Sequence, residues 1–137
     1  MSLFSAITTA STALAAQTIR LNLTASNIAN AESLASSEED AYRTQHAIFQ
    51  SIPVGQTQNS VGEGVTVVGI TRSDTPGPRQ YMPNHALADD EGYVFGSNVN
   101  AAAEMADMIS ASRAYQNNVE VMNTSKDLLI RTLSLGR

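Results

Sequence analysis

Apolar residues recur every seven positions at both ends of the chain. Near the start the line runs Ile7, Leu14, Leu21 and Ile28. Near the end it runs Met108, Tyr115, Met122 and Leu129, with Met105, Val119 and Leu133 a turn away. A straight α-helix drifts by about 20° per heptad, so such a line stays on a partner only if the helix underwinds into a left-handed supercoil. The pattern therefore predicts two long helices packed along their length. Between them the pattern changes. Val65 to Thr71 (VTVVGIT) is β-branched and follows Gly62 and Gly64, which predicts a strand after a tight turn. Tyr42 to Gln50 is rich in strand formers without alternating cleanly, and Arg79–Met82 and Gly92–Phe95 are shorter strand candidates. The serine-rich acidic run Ser33 to Asp40 reads as a solvated loop, as do Thr75-Pro76-Gly77-Pro78 and the stretch from Pro83 to Gly92.

Helix breakers sharpen the boundaries. Pro53, Pro76, Pro78 and Pro83 are the only prolines, and every glycine except Gly136 lies between Gly55 and Gly96. The flanks are free to form uninterrupted helices over about residues 3–30 and 100–134, roughly 40 and 50 Å long at the usual rise. The expected class is α+β, in three segments: 1–31, a β-rich middle of 32–97 with a small antiparallel sheet, and 98–137. Asn30 suits the end of the first helix, where a left-handed residue is often Gly or Asn. Asn98 and Asn100 are both candidate caps for the second, with Glu104 and Asp107 near its positive end and Lys126 and Arg131 near the other.

Charge distinguishes the two flanks. Arg20 is the only charged side chain in residues 1–31, and the remainder is Ala, Ser, Thr, Asn, Gln and aliphatics. A solvent-facing helix normally has a charged outer face. Two readings fit: an ordinary amphipathic helix lying on its own domain, with Asn27 and Asn30 terminating it, or a helix that orders only when other subunits surround it. In the second flank Tyr115 is, on the simplest reading, a core anchor. Arg113 is either a solvated charge or a bridge to an acid of a neighbour, such as Glu104, Asp107 or Glu120.

The candidate chemistry is sparse. A net charge of −5 over 137 residues, with no basic patch, argues against nucleic acid and against an anionic membrane surface. Absence of cysteine excludes a disulfide framework or thiolate metal site. No stretch is apolar enough to span a bilayer, and the N-terminus is a poor secretory signal because it lacks a basic region and hydroxyl residues interrupt its apolar part. His46 and His85 have no metal-ligand spacing, Asp89-Asp90-Glu91 lacks the alternation of a calcium loop, and no nucleophile-elbow, P-loop or Rossmann glycine motif is present. No enzyme, cofactor or metal is expected.

Specific motifs then point to a family. Leu21 to Ala31 (LNLTASNIANA) resembles the N-terminal signature of bacterial flagellar rod and hook axial proteins. Asn98-Val99, Glu104-Met105, Met108-Ile109, Ser112-Arg113, Tyr115-Gln116, Asn118-Val119, Asn123-Thr124 and Leu133-Ser134-Leu135-Gly136 are similar to the matching C-terminal signature. Tyr42-Arg43, Leu87-Ala88, Gly92-Tyr93-Val94 and the short middle fit the proximal rod branch. The resemblance implies a structural subunit of the basal-body rod, the drive shaft crossing the periplasm. Its terminal helices would pair as an antiparallel coiled coil in the wall of a helical tube, with the middle segment outside. It implies export through the flagellar type III apparatus without a cleaved signal. The implied partners are the chain's own copies, FlgB, FlgF, FlgG and the adaptor FliE. The assembly interface expected on this basis comprises Ile7, Leu14, Leu21, Asn27, Ile28, Asn30, Met105, Met108, Arg113, Tyr115, Val119, Met122, Leu129 and Leu133. The competing class, a self-contained coiled-coil adaptor or chaperone-like module, calls for charge-decorated termini, which residues 1–31 lack.

Overall fold

The structure, a computed structural model, is described over residues 3–53 and 63–135. The elements are α1 (Leu3–Ala29), β1 (Leu34–Ala35), β2 (Gln45–Pro53), β3 (Glu63–Arg72), β4 (Arg79–Tyr81), β5 (Tyr93–Gly96) and α2 (Ala101–Leu135). The class is α+β: two long helices pack against each other, with small antiparallel sheets between them in the chain. One sheet has the order β1-β5-β4 and the other pairs β2 with β3. The tight turn expected before Val65 involves Gly62, which lies outside the described residues, as does Gly136. The chain forms two compact units, Met1–Leu21 with Ala47–Gly69 and Ser110–Arg137, and Asn22–His46 with Ile70–Ile109.

The second unit is organised by its three-stranded sheet. Val94 on the central strand is fully buried and faces Gln80 across the ladder. Residues 89–92 turn the chain into β5. The Asp89 carboxylate accepts the N–H groups of Glu91 (3.0 Å) and Tyr93 (2.7 Å), and Gly92 takes a φ of +81°, open to glycine at little cost. Across the ladder the Arg79 guanidinium lies 4.4 Å from the Tyr93 ring centroid, while Tyr81 meets Tyr93 edge-on at 5.2 Å. The Pro76–Pro78 loop is pressed against β5: a Cβ on Gly77 would stand 1.8 Å from the Gly96 carbonyl oxygen.

The acidic run is not wholly a loop. Leu34 and Ala35 pair with Gly96 and Phe95 as β1, and Ser97 donates its N–H to the Ser33 carbonyl at 3.2 Å. Beyond that strand, the Ser37 hydroxyl donates to Asp40 Oδ2 at 2.7 Å. The helix ends also refine the expectation. Asn30 follows α1 without a left-handed φ, since no described non-glycine residue has one. The Asn30 N–H is shared between the carbonyls of Ser26 (3.1 Å) and Asn27 (3.2 Å), and those of Ala31 and Ser33 donate to Ile28 and Asn30, three residues back, which tightens the last turn. Of the two candidate caps, Asn100 serves α2, its Oδ1 accepting the N–H groups of Ala102 (3.1 Å) and Ala103 (3.2 Å).

The first unit is built on smaller side chains. Ala10, Ala16 and Ala111 are buried there. The Val65 N–H of β3 donates to Thr12 Oγ1 at 3.2 Å, tying the ribbon to α1.

Candidate functional site: the helix faces and the Asn27 clasp

The apolar heptad lines sit at the margin of the packing rather than at its centre. Ile7, Leu14, Leu21, Ile28, Met108, Met122 and Leu129 are half-buried, as are Val119 and Asn30. A second line, three residues further on, lies deeper than the first. On α1 it holds Ala10 and Thr24, with Gln17 between them; on α2 it holds Glu104, Ala111 and Ser125, with Asn118 half-buried between. Small and polar residues escape a search for hydrophobic periodicity, so the sequence reading passed over this line. Their short side chains let helix backbones approach closely.

Other expected residues face outward. Met105, Arg113, Tyr115 and Leu133 are exposed, Leu133 at 73%. Tyr115 is therefore not a fully packed anchor within the chain. Val121, Leu128 and Leu135 add an exposed apolar line, again seven residues apart and each one residue ahead of a half-buried position or its heptad equivalent.

The polar face of α1 has an internal solution. Thr8, Ser11, Thr12 and Thr18 donate their hydroxyls to the carbonyls of Phe4, Thr8, Thr9 and Leu14, at 2.8 to 2.9 Å. Burying an unsatisfied hydroxyl is costly, but these donors already have partners within their own helix. The face is polar in composition and nearly apolar in its demands.

The clasp lies in the second unit. Asn27 is 1% exposed and uses its whole amide. Nδ2 donates to the Gln45 carbonyl (2.9 Å) and to Glu104 Oε2 (3.0 Å). Oδ1 accepts the Gln45 N–H (3.0 Å) and the Tyr42 hydroxyl (2.9 Å), whose oxygen also lies 3.2 Å from Ser26 Oγ. One side chain thus joins the end of α1, the start of β2 and the first turn of α2. Glu104 is 5% exposed, and its carboxylate gains from the positive end of α2. It is turned inward and so is withdrawn from the acids expected to meet Arg113 of a neighbour. Asn27, a helix terminator on one reading of the sequence and an interface residue on the other, forms a junction of four hydrogen bonds within the chain. Asn98 makes a neighbouring one: Oδ1 accepts the Thr44 N–H and hydroxyl, both at 2.8 Å, while Nδ2 donates to the Thr75 carbonyl at 2.6 Å.

Among the described residues, no three His, Asp or Glu side chains are grouped to hold a metal, and no helix is long and apolar enough to cross a membrane. Residues 7–32 match the family described as flagella basal body rod protein, and residues 90–135 match the family described as flagellar basal body rod FlgEFG protein C-terminal. Those ranges contain the clasp residues Asn27 and Glu104 and most of the two seams. The chain is 41% identical to the flagellar basal-body rod protein FlgC of Salmonella typhimurium and 43% identical to that of Yersinia enterocolitica, over the full length of each chain. It is 38% identical to FlgC of Borreliella burgdorferi over 98% of both. The chain belongs to the FlgC family of flagellar basal-body rod proteins and is a structural subunit of that rod, not an enzyme.

Proposed function

We propose that the terminal helices pair as an antiparallel coiled coil and that these pairs pack side by side into the wall of a tubular drive shaft, with residues 32–97 outside. The self-satisfied hydroxyl face of α1 carries this reading. Four hydroxyls bonded to the helix's own carbonyls can be enclosed without being stranded as donors, and the exposed Val121, Leu128 and Leu135 line offers apolar area for a neighbour's helix. Close helix packing over such lengths supplies the stiffness that torque transmission requires. The neighbours are other copies of the chain, FlgB, FlgF, FlgG and the adaptor FliE. Delivery is through the type III export apparatus, without a cleaved signal peptide.

Folding and assembly are coupled in this scheme. α1 is rich in weak helix formers, so it passes the export channel unfolded and orders against α2 and neighbouring subunits. Apolar burial of about 25 cal/mol per Å² offsets the ordering entropy. Amide exchange on the purified chain tests the scheme: residues 3–29 should exchange quickly, and strong protection there would overturn coupled folding. Leu21→Asp and Met122→Asp should each abolish swimming while the protein is still secreted. Normal motility in either variant removes these residues from the assembly seam.

A further inference from the structure

Repeated seams leave one question open within each chain, namely which stagger of α1 against α2 is correct. Lines such as Ala10–Gln17–Thr24 and Ala111–Asn118–Ser125 repeat every seven residues. A line without large apolar knobs offers a partner helix few features that distinguish one heptad from the next. A seam of this kind favours close approach but selects a stagger weakly.

We infer that Asn27 and Glu104 set that stagger. Asn27 is held on three sides by groups outside α2: the Gln45 N–H, the Gln45 carbonyl and the Tyr42 hydroxyl. Three of its four amide hydrogen-bonding positions are thereby fixed relative to the start of β2. The remaining Nδ2 hydrogen is aimed at the Glu104 carboxylate, 3.0 Å away. Both residues are nearly fully buried, so sliding α2 along α1 separates a carboxylate and an amide that lack ready access to water. Asn98, just before the helix, binds Thr44 and Thr75, which ties the start of α2 to the chain that leads into β2. A single buried polar group that fixes the register of an otherwise repetitive helical interface is a known use of asparagine. Here that function is divided between an amide and an acid on different helices. The stagger then determines which outward residues of α1 and α2 share a level, and hence the surface shown to a neighbour.

The chain has no cysteine, which makes the test direct. Spin labels on Thr18→Cys and Asn117→Cys, both exposed and one on each helix, report helix stagger by pulsed dipolar spectroscopy of the purified full chain. Trimethylamine oxide is added until α1 of the isolated chain is helical by circular dichroism, since the coupled-folding scheme leaves that helix unordered in buffer alone. The otherwise unmodified chain should give one distance, and so should Glu104→Gln, which retains an oxygen for the Asn27 amide. The pair Asn27→Leu with Glu104→Leu should add a second distance displaced by about 5 Å or more, one helical turn. Glu104→Met leaves the Tyr42 and Gln45 bonds intact and should broaden the distribution even if the double variant does not fold. An unshifted single distance in Glu104→Met overturns the inference, as does a folded Leu pair with one unchanged distance. Several equally weighted distances in the otherwise unmodified chain also overturn it.

Discussion

The two compact units solve opposite problems. In the unit formed by residues 22–46 and 70–109, Val94 is sealed on a central strand, and Asn27 uses every hydrogen-bonding position of its amide. Glycines sit where any larger residue would collide. In the unit containing residues 1–21 and 110–137, the buried hydrophobic residues are alanines, while several leucines and valines lie at the surface. The difference teaches that burial and hydrophobicity need not coincide in a subunit built to be enclosed. One unit closes on a dense set of internal hydrogen bonds, and the other leaves Val121, Leu128, Leu133 and Leu135 exposed. Substitutions should therefore sort by readout: monomer stability in the first group, assembly in the second.

The largest expected effect is at Gly77. Gly77→Ala forces backbone to move at Gly96 and should lower the unfolding free energy in urea by about 3 kcal/mol or more. A loss below about 1 kcal/mol would mean that the loop is not pressed on β5 as described. Val94→Ala comes next, at roughly 2 kcal/mol from lost burial and a residual cavity, measured in the same way. Asn100→Ala removes the α2 cap and should cost about 1 kcal/mol, with faster amide exchange at Ala102 and Ala103 as the local signature. Leu128→Ser should have the smallest effect on the purified chain, within about 0.5 kcal/mol, yet should shrink the swimming halo. If Leu128→Ser leaves swimming normal, the contrast between an inward unit and an outward one loses its main support.

Much of the fold was legible because breakers and periodicity are local signals. The confinement of proline and most glycine to the middle marked both long helices within a residue or two, and the β-branched run marked β3. β1 escaped because two residues, Leu34 and Ala35, cannot display alternation, and their serine and glutamate neighbours suggest solvent. Tyr42 reads as a strand former by propensity, but its hydroxyl is drawn to Asn27, so β2 begins only at Gln45. The deepest seam positions escaped for another reason: Ala, Thr, Ser and Glu are chosen there for size and hydrogen bonding, to which a hydropathy pattern is blind. The Asn27–Glu104 contact joins residues 77 positions apart, and no spacing rule reaches that far.

The near absence of charge on α1 has a consequence for the medium in which such a subunit works. Ions weaken exposed charge pairs over a Debye length of about 8 Å at physiological ionic strength. Arg20 is the only side chain in residues 1–31 with a full charge for them to screen. Contacts made through this helix draw on close packing and on hydroxyls bonded within it, neither of which depends on counterions. A joint of this kind should remain equally stiff in dilute and in saline surroundings.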